Sequence, residues 1–217
     1  MLFQNGTTLN NTCLKPCVFF SANIQGLYSR GVKHKTSFLA EMAADENAIF
    51  LALTETHLSP DVYDAEVEIP GFEIFRSDRK HASRGGVCLY VKNDIKSDAS
   101  LLKQESIGNI ESLVVYLRRL NTVIIVVYRP PTALENDFSD IVDGVQRTLE
   151  DLPDDIPFPT IFMTGDFNFP AIQWTEGDMG LATTNLRRQF QCLQQFTADN
   201  FLNQVIETPT RGNNILD

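Results

Sequence analysis

Short apolar runs that end at polar residues are the feature that most constrains the fold of this chain. The runs Cys17–Asn23, Ala48–Leu53 and Thr160–Met163 each predict a buried strand, and polar residues end or follow each of them. Rigid strands that end together can hold several carboxylates and amides within reach of one ligand. The sequence therefore predicts a functional site built from strand ends.

The other elements alternate irregularly between helix and strand. Apolar residues at helical spacing predict helices over 34–45, 137–150 and 183–199. Further strands are predicted over 72–75, 87–91, 112–118, 122–128 and 201–206. The runs 112–118 and 122–128 are expected to form a hairpin. This order favours an α/β (α+β) protein with packed sheets covered by helices over a simple parallel βαβ array.

Charge gives the chain little general attraction for nucleic acid. The 217 residues are enough for one sizeable domain, but the net charge is −10 and the pI about 4.7. A local basic cluster remains, and we take Arg76, Arg79, Lys80 and Arg84 as candidate nucleic-acid contacts. The competing interpretation of this cluster is an ordinary solvated loop.

The N-terminal segment and the cysteines carry weaker signals. Residues 1–16 are expected to be a loose extension without the order of a signal peptide, and no window is long and apolar enough for a membrane span. Cys13 and Cys17 could form half of a metal site, but no second pair follows at a suitable spacing. We therefore expect these two cysteines, with Cys88 and Cys192, to be free thiols.

Five polar residues at the strand ends form the candidate site. They are Asn23, Glu55, Tyr128, Asp166 and Asn168. Each alone has an ordinary explanation, such as a turn residue or a solvated carboxylate. The argument for a site therefore rests on the combination.

Together these residues suit the hydrolysis of a phosphodiester, which needs a divalent cation, an activated water and hydrogen bonds to the developing charge. Glu55 offers the oxygen ligand that Mg²⁺ prefers, and Asn23 can assist it. Asp166 can orient or deprotonate the attacking water. Tyr128 and Asn168 can donate hydrogen bonds to the phosphate.

Five motifs in order make a resemblance specific. They are Ser21-Ala22-Asn23-Ile24-Gln25-Gly26-Leu27, Leu53-Thr54-Glu55-Thr56-His57-Leu58, Arg84-Gly85-Gly86-Val87, Tyr128-Arg129-Pro130-Pro131 and Gly165-Asp166-Phe167-Asn168. This series resembles the endonuclease/exonuclease/phosphatase superfamily over residues 17–217. The greatest likeness is to the apurinic-type endonuclease domain of non-LTR (LINE-like) retrotransposons.

The resemblance implies two mixed β-sheets packed as a sandwich and flanked by helices. It also implies metal-dependent nicking of DNA, with Mg²⁺ or alternatively Mn²⁺ as cofactor, and a reverse transcriptase domain in the parent polyprotein. An intracellular location is expected, nuclear when the protein acts on DNA. Two other interpretations remain open: a catalytically dead fragment or domesticated binding domain, and a phosphatase of sugar phosphates or phosphoinositides.

Family roles carry over to the matching residues. Asn23 and Glu55 match the metal-site motifs, Tyr128 the tyrosine near the scissile phosphate, Asp166 the water-activating aspartate, and Asn168 the asparagine that holds the transition state. The stretch Asn214–Asp217 resembles a later strand, which makes Asp217 a candidate site residue.

The chain departs from the family pattern at its C-terminus. The family's terminal Ser-Asp-His element does not occur in the 217 residues, so we expect the domain to lack that strand and to be impaired in activity. His34, His57 and His81 all lie outside such a context. Alternation along a strand is expected to turn His57 away from Glu55.

Overall fold

The computed structural model describes residues 2–5, 18–28, 34–80, 84–96, 98–169, 172–175, 178–181 and 187–206. The strands are β1 (Leu2–Asn5), β2 (Val18–Asn23), β3 (Ala48–Thr54), β4 (Phe72–Ser77), β5 (Val87–Lys92), β6 (Ala99–Ile107), β7 (Ile110–Leu117), β8 (Thr122–Tyr128), β9 (Thr160–Asp166), β10 (Ile172–Thr175), β11 (Asp178–Leu181) and β12 (Leu202–Gln204). The helices are α1 (His34–Asp45), α2 (Asn93–Lys96), α3 (Glu135–Glu150) and α4 (Arg187–Asp199).

Two mixed sheets contain most of these strands. The larger has the order β12-β1-β9-β8-β7-β6, and the smaller has the order β2-β3-β5-β4. Each sheet contains one parallel pair, β8 with β9 and β2 with β3, among antiparallel neighbours. Strands β10 and β11 form a separate antiparallel hairpin. The two parallel pairs become important because they carry the candidate site.

The two sheets pack face to face and bury the central core between them. Phe50, Leu89, Leu113, Ile124 and Val126 belong to this layer and are at most 3% exposed. Burying one such side chain contributes about 1.5–3 kcal/mol, so this layer is a main source of stability. The expected sandwich of two mixed sheets is confirmed.

Helices cover the outer faces of the sandwich. Phe138 and Ile141 of α3 and Leu193 of α4 pack on the larger sheet, and Leu39 of α1 packs on the smaller. Strand β8 is buried along its whole length, because it lies inside a sheet that is covered on both faces. Its continuous apolar sequence reflects that position.

Several elements differ from the sequence expectation. Leu2–Asn5 were assigned to a loose extension, but they form β1 between β9 and β12, because main-chain pairing does not require an apolar pattern. Strand β6 was not predicted at all. It lies at a sheet edge with a register shift between Leu101 and Lys103, so its side chains do not alternate cleanly. The hairpin of β10 and β11 was also missed.

In the part of the chain that the structure describes, none of the helices has the length and apolar character needed to cross a membrane. Cys88 is a free, fully buried thiol, and Cys192 is free and half-buried. Cys13 and Cys17 lie outside the described residues.

Candidate active site

The carboxyl ends of the two parallel pairs meet at one end of the sandwich. Asn23 ends β2 and donates its side-chain Nδ2 to Glu55 Oε1 at 2.8 Å and to Asp166 Oδ2 at 2.7 Å. One amide therefore joins a carboxylate of the smaller sheet to a carboxylate of the larger sheet. Nearby, Thr164 Oγ1 of β9 donates to Ser21 Oγ of β2 at 2.7 Å. This hydrogen bond also joins the two sheets.

The backbone around Glu55 is held from both sides. Gly26 N–H donates to Glu55 O at 2.7 Å, and Thr56 N–H donates to Gly86 O at 3.2 Å. Glu55 itself has a φ of +52°, which places it in the left-handed region. Such a conformation is costly for a residue with a side chain and persists only where its surroundings enforce it. These backbone hydrogen bonds thus direct the Glu55 carboxylate into the site.

The expectation for His57 was wrong. Its Nε2 lies 3.5 Å from Glu55 Oε2, so the two side chains face each other. Side chains alternate along a strand with a period of two, so residues 55 and 57 would share a face in a strand, and the expectation applied this rule incorrectly. Strand β3 also ends at Thr54, and Glu55 and His57 both have left-handed backbone conformations, with φ of +52° and +54°. His57 N–H also donates to Gly85 O at 2.8 Å. The imidazole is therefore part of the site.

Tyr128 contributes a hydroxyl from the end of β8. It is 6% exposed and pairs in register with Asp166 on β9. Burial, followed by the charges of Glu55 and Asp166 and a hydrogen bond with Glu55, raises the pKa of the Tyr128 hydroxyl. The group therefore keeps its proton at neutral pH and can act as a hydrogen-bond donor.

A tight turn after β9 presents Asp166 and Asn168. Asn168 donates its side-chain Nδ2 to Asp166 Oδ1 and, at 2.9 Å, to Arg129 O. Gly165 is required before this turn because its φ is +142° and a Cβ there would lie 1.8 Å from Val127 O. All five candidate residues are thus brought together by hydrogen bonds.

A buried ion pair behind Tyr128 was not predicted. Glu111 is 0% exposed, and its carboxylate accepts hydrogen bonds from Arg79 Nε at 2.7 Å, Arg79 Nη2 at 3.0 Å and Gly86 N–H at 2.9 Å. The Arg79 guanidinium lies 5.4 Å from the centre of the Tyr128 ring. In the sequence, the only sign of this ion pair is an acidic residue, Glu111, near the start of an apolar strand. The sequence does not show that Arg79 is its partner.

The four candidate nucleic-acid contacts are not equivalent. Besides its ion pair with Glu111, Arg79 donates to Asn109 O. Arg76 pairs with Asp78 and Asp64 and is also bound to backbone carbonyls. Both guanidiniums have internal partners, whereas Lys80 and Arg84 are exposed. His81 and Asp217 lie outside the described residues.

The donor set at the site fits Mg²⁺, which is usually held by one or two carboxylates with the remaining positions left to water and phosphate. Glu55 and Asp166 supply two carboxylates that the Asn23 amide holds close together. Among the described residues, there is no cluster of three or more His, Cys, Asp or Glu side chains that could hold a metal. Glu55, with Asn23 beside it, could hold such a cation.

Comparison with known proteins decides the family. The model of the Endonuclease/Exonuclease/phosphatase family matches residues 20–201. The chain belongs to this family. The match extends from β2 to the end of α4 and includes all five candidate residues. A search of curated protein sequences found no match.

Several solved structures are similar to this chain at low sequence identity. An AP endonuclease from Leishmania major has a TM-score of 0.52 and 14% identity, and the match covers 84% of this chain and 65% of that one. A 3′ phosphatase from Neisseria, bound to a product DNA hairpin, has a TM-score of 0.53 and 15% identity. The match covers 82% of this chain and 69% of that one. A D. rerio TDP2 humanized by 14 mutations has a TM-score of 0.44 and 17% identity. The match covers 68% of this chain and 60% of that one. The chain therefore spans only 60–69% of the length of these three proteins.

Proposed function

We propose that this family member hydrolyses phosphodiester bonds with a divalent cation and nicks DNA. The observation that carries the proposal is the Asn23 amide, which holds the carboxylates of Glu55 and Asp166 together between the two sheets. The Leishmania and Neisseria proteins with the same fold are named as an endonuclease and as a phosphatase bound to DNA, which supports DNA as the substrate.

The side chains have distinct roles in this proposal. A cation held by Glu55 and Asn23 would neutralise the phosphate oxygens. Asp166 accepts the proton of the attacking water, since both of its oxygens are oriented by amide donors. Tyr128 and Asn168 donate hydrogen bonds to the charge that develops on the phosphate as the new P–O bond forms and the leaving oxygen departs.

We further propose an origin in a non-LTR retrotransposon, with a reverse transcriptase domain in the parent polyprotein and action on nuclear DNA. The five motifs support this origin, above all the Thr-Glu-Thr element at Glu55 and the Tyr-Arg-Pro-Pro element at Tyr128. The cofactor is proposed to be Mg²⁺, with Mn²⁺ as substitute. We propose residues 17–217 as the extent of the domain, and Lys80 and Arg84 as its DNA contacts.

A nicking assay tests the proposed activity. Supercoiled plasmid is incubated with the wild-type chain, Asp166→Ala and Asp154→Ala in Mg²⁺, and formation of nicked circles is measured. Asp154 is exposed in a loop, so its removal controls for the loss of one negative charge. We expect slow nicking by wild type and by Asp154→Ala, in keeping with the expected impairment, and none by Asp166→Ala. Equal nicking by all three proteins would point to a contaminating nuclease and refute the proposal.

A further inference from the structure

Arg129 is the largest fully buried side chain of the described residues, and it has an unusual set of partners. Its Nε donates to Gln189 Oε1 at 2.6 Å, and its Nη1 donates to Phe167 O at 3.0 Å and Asn168 O at 3.2 Å. Nη2 is buried and has no hydrogen-bond partner among the described residues. Within the part of the chain that the structure describes, the guanidinium thus bonds only to neutral acceptors, although a buried cation is normally paired with a carboxylate.

The charge of Arg129 is present at neutral pH. Burial lowers the pKa of the guanidinium to about 10, and the negative charge of Asp166 opposes this effect. The Phe169 ring also faces the cation, 4.3 Å from its centre to the guanidinium carbon. An apolar residue of the same size would avoid the cost of burying this charge, so the charge itself calls for an explanation.

Arg129 contacts every residue of the turn that carries the site. Its backbone N–H donates to Asp166 O at 2.8 Å, and its backbone carbonyl accepts from Asn168 Nδ2 at 2.9 Å. Its side chain binds the carbonyls of Phe167 and Asn168. These bonds hold Asn168 at a φ of +49°, in the left-handed region. The turn is therefore fixed from behind, inside the core.

We propose that Arg129 is a positioning residue of this active site, which clamps the turn 166–168 and places a positive charge at the turn that carries Asp166. Gln189 of α4 extends the clamp, because it accepts from Arg129 and donates its Nε2 to Ala133 O at 3.3 Å. Helix α4 thereby supports the turn through Gln189. This inference rests on the proposed function for its effect on the reaction, whereas its effect on the turn is independent of activity.

The substitution Gln189→Glu tests the role of the positive charge of Arg129 without changing the Arg129 side chain itself. The substitution keeps the length of the side chain and gives Arg129 Nε a carboxylate, which would neutralise the guanidinium. A purely structural arginine would gain an ion pair and leave catalysis unchanged. If instead the positive charge of Arg129 supports catalysis, the new carboxylate would neutralise that charge. The kcat should then fall although the protein stays folded. Gln194→Glu, on the exposed face of the same helix, is the matched control.

The experiment compares wild type, Arg129→Lys, Arg129→Met, Gln189→Glu and Gln194→Glu. Nicking kcat and KM, Tm, and the NMR signals of the Asn168 side-chain amide are measured for each. We expect kcat to fall roughly 100-fold in Arg129→Met and about 10-fold in Gln189→Glu, with KM within about twofold, since small displacements of catalytic groups cost this much. Arg129→Lys should recover part of the loss, and Gln194→Glu should match wild type.

Unchanged kcat in Gln189→Glu together with wild-type kcat in folded Arg129→Met would overturn the inference. If Arg129→Met does not fold, Gln189→Glu alone decides. If the wild type nicks no plasmid, the proposed function fails. The NMR signals of the Asn168 side-chain amide then test whether Arg129 holds the turn. A changed amide signal in Arg129→Lys and Gln189→Glu then supports the clamp, and a signal identical to that of wild type refutes it.

Discussion

Asn23 donates a 2.7 Å hydrogen bond to Asp166 across 143 residues of chain and from one sheet of the sandwich to the other. Asn23 lies on β2 at the edge of the smaller sheet, and Asp166 ends β9 inside the larger sheet. The bond therefore requires that the two sheets are packed against each other. The candidate site is complete only in that packed arrangement.

Glu55→Gln should abolish stabilisation by Mg²⁺, because the neutral amide is a much poorer ligand than the carboxylate. At a metal concentration of about 100 times Kd, binding to the folded state stabilises it by about 2.7 kcal/mol. Thermal unfolding with and without Mg²⁺ measures the effect. Glu41→Gln on the exposed side of α1 should keep the full rise in Tm. An equal rise in Glu55→Gln would remove Glu55 from the metal site.

Gly165→Ala should destabilise the protein more than Gly71→Ala. Both glycines have positive φ, but a Cβ at Gly165 would meet Val127 O at 1.8 Å, whereas Gly71 has open space within 4 Å. We expect a loss of about 1 kcal/mol at Gly71 and about 3 kcal/mol or more at Gly165. Denaturant unfolding of both variants measures the difference. Similar losses would mean that the backbone around Val127 relaxes freely.

Glu111→Gln should cost about 3–5 kcal/mol, because it leaves Arg79 largely buried without its counter-charge. The pair Arg118–Asp155 provides a comparison, since both of its side chains are more than half exposed. Asp155→Asn should cost about 1 kcal/mol or less. Denaturant unfolding measures both variants. Glu111→Gln should also lower kcat, because Arg79 packs against Tyr128. A kcat equal to that of wild type in folded Glu111→Gln would show that Tyr128 does not depend on this ion pair.

Much of the architecture follows from local sequence patterns. Apolar spacing alone correctly predicted the bounds 34–45 of α1, and the continuous apolar runs predicted β3, β8 and β9. Such patterns are informative because helix and strand periodicity reflect which face of each element is buried. The motifs around Asn23, Glu55, Tyr128 and Asp166 likewise indicated one site, since polar residues at strand ends can be recognised without knowing their partners.

Only the tertiary structure decided which groups face one another. The direction of His57 depends on a left-handed backbone beyond the end of β3, and the ion pair of Glu111 with Arg79 joins residues 32 positions apart. The burial of Arg129 depends on α4 packing beside the turn after β9. Spacing along the chain does not encode these relationships, because they arise when the two sheets and their covering helices pack together and exclude water from the groups between them.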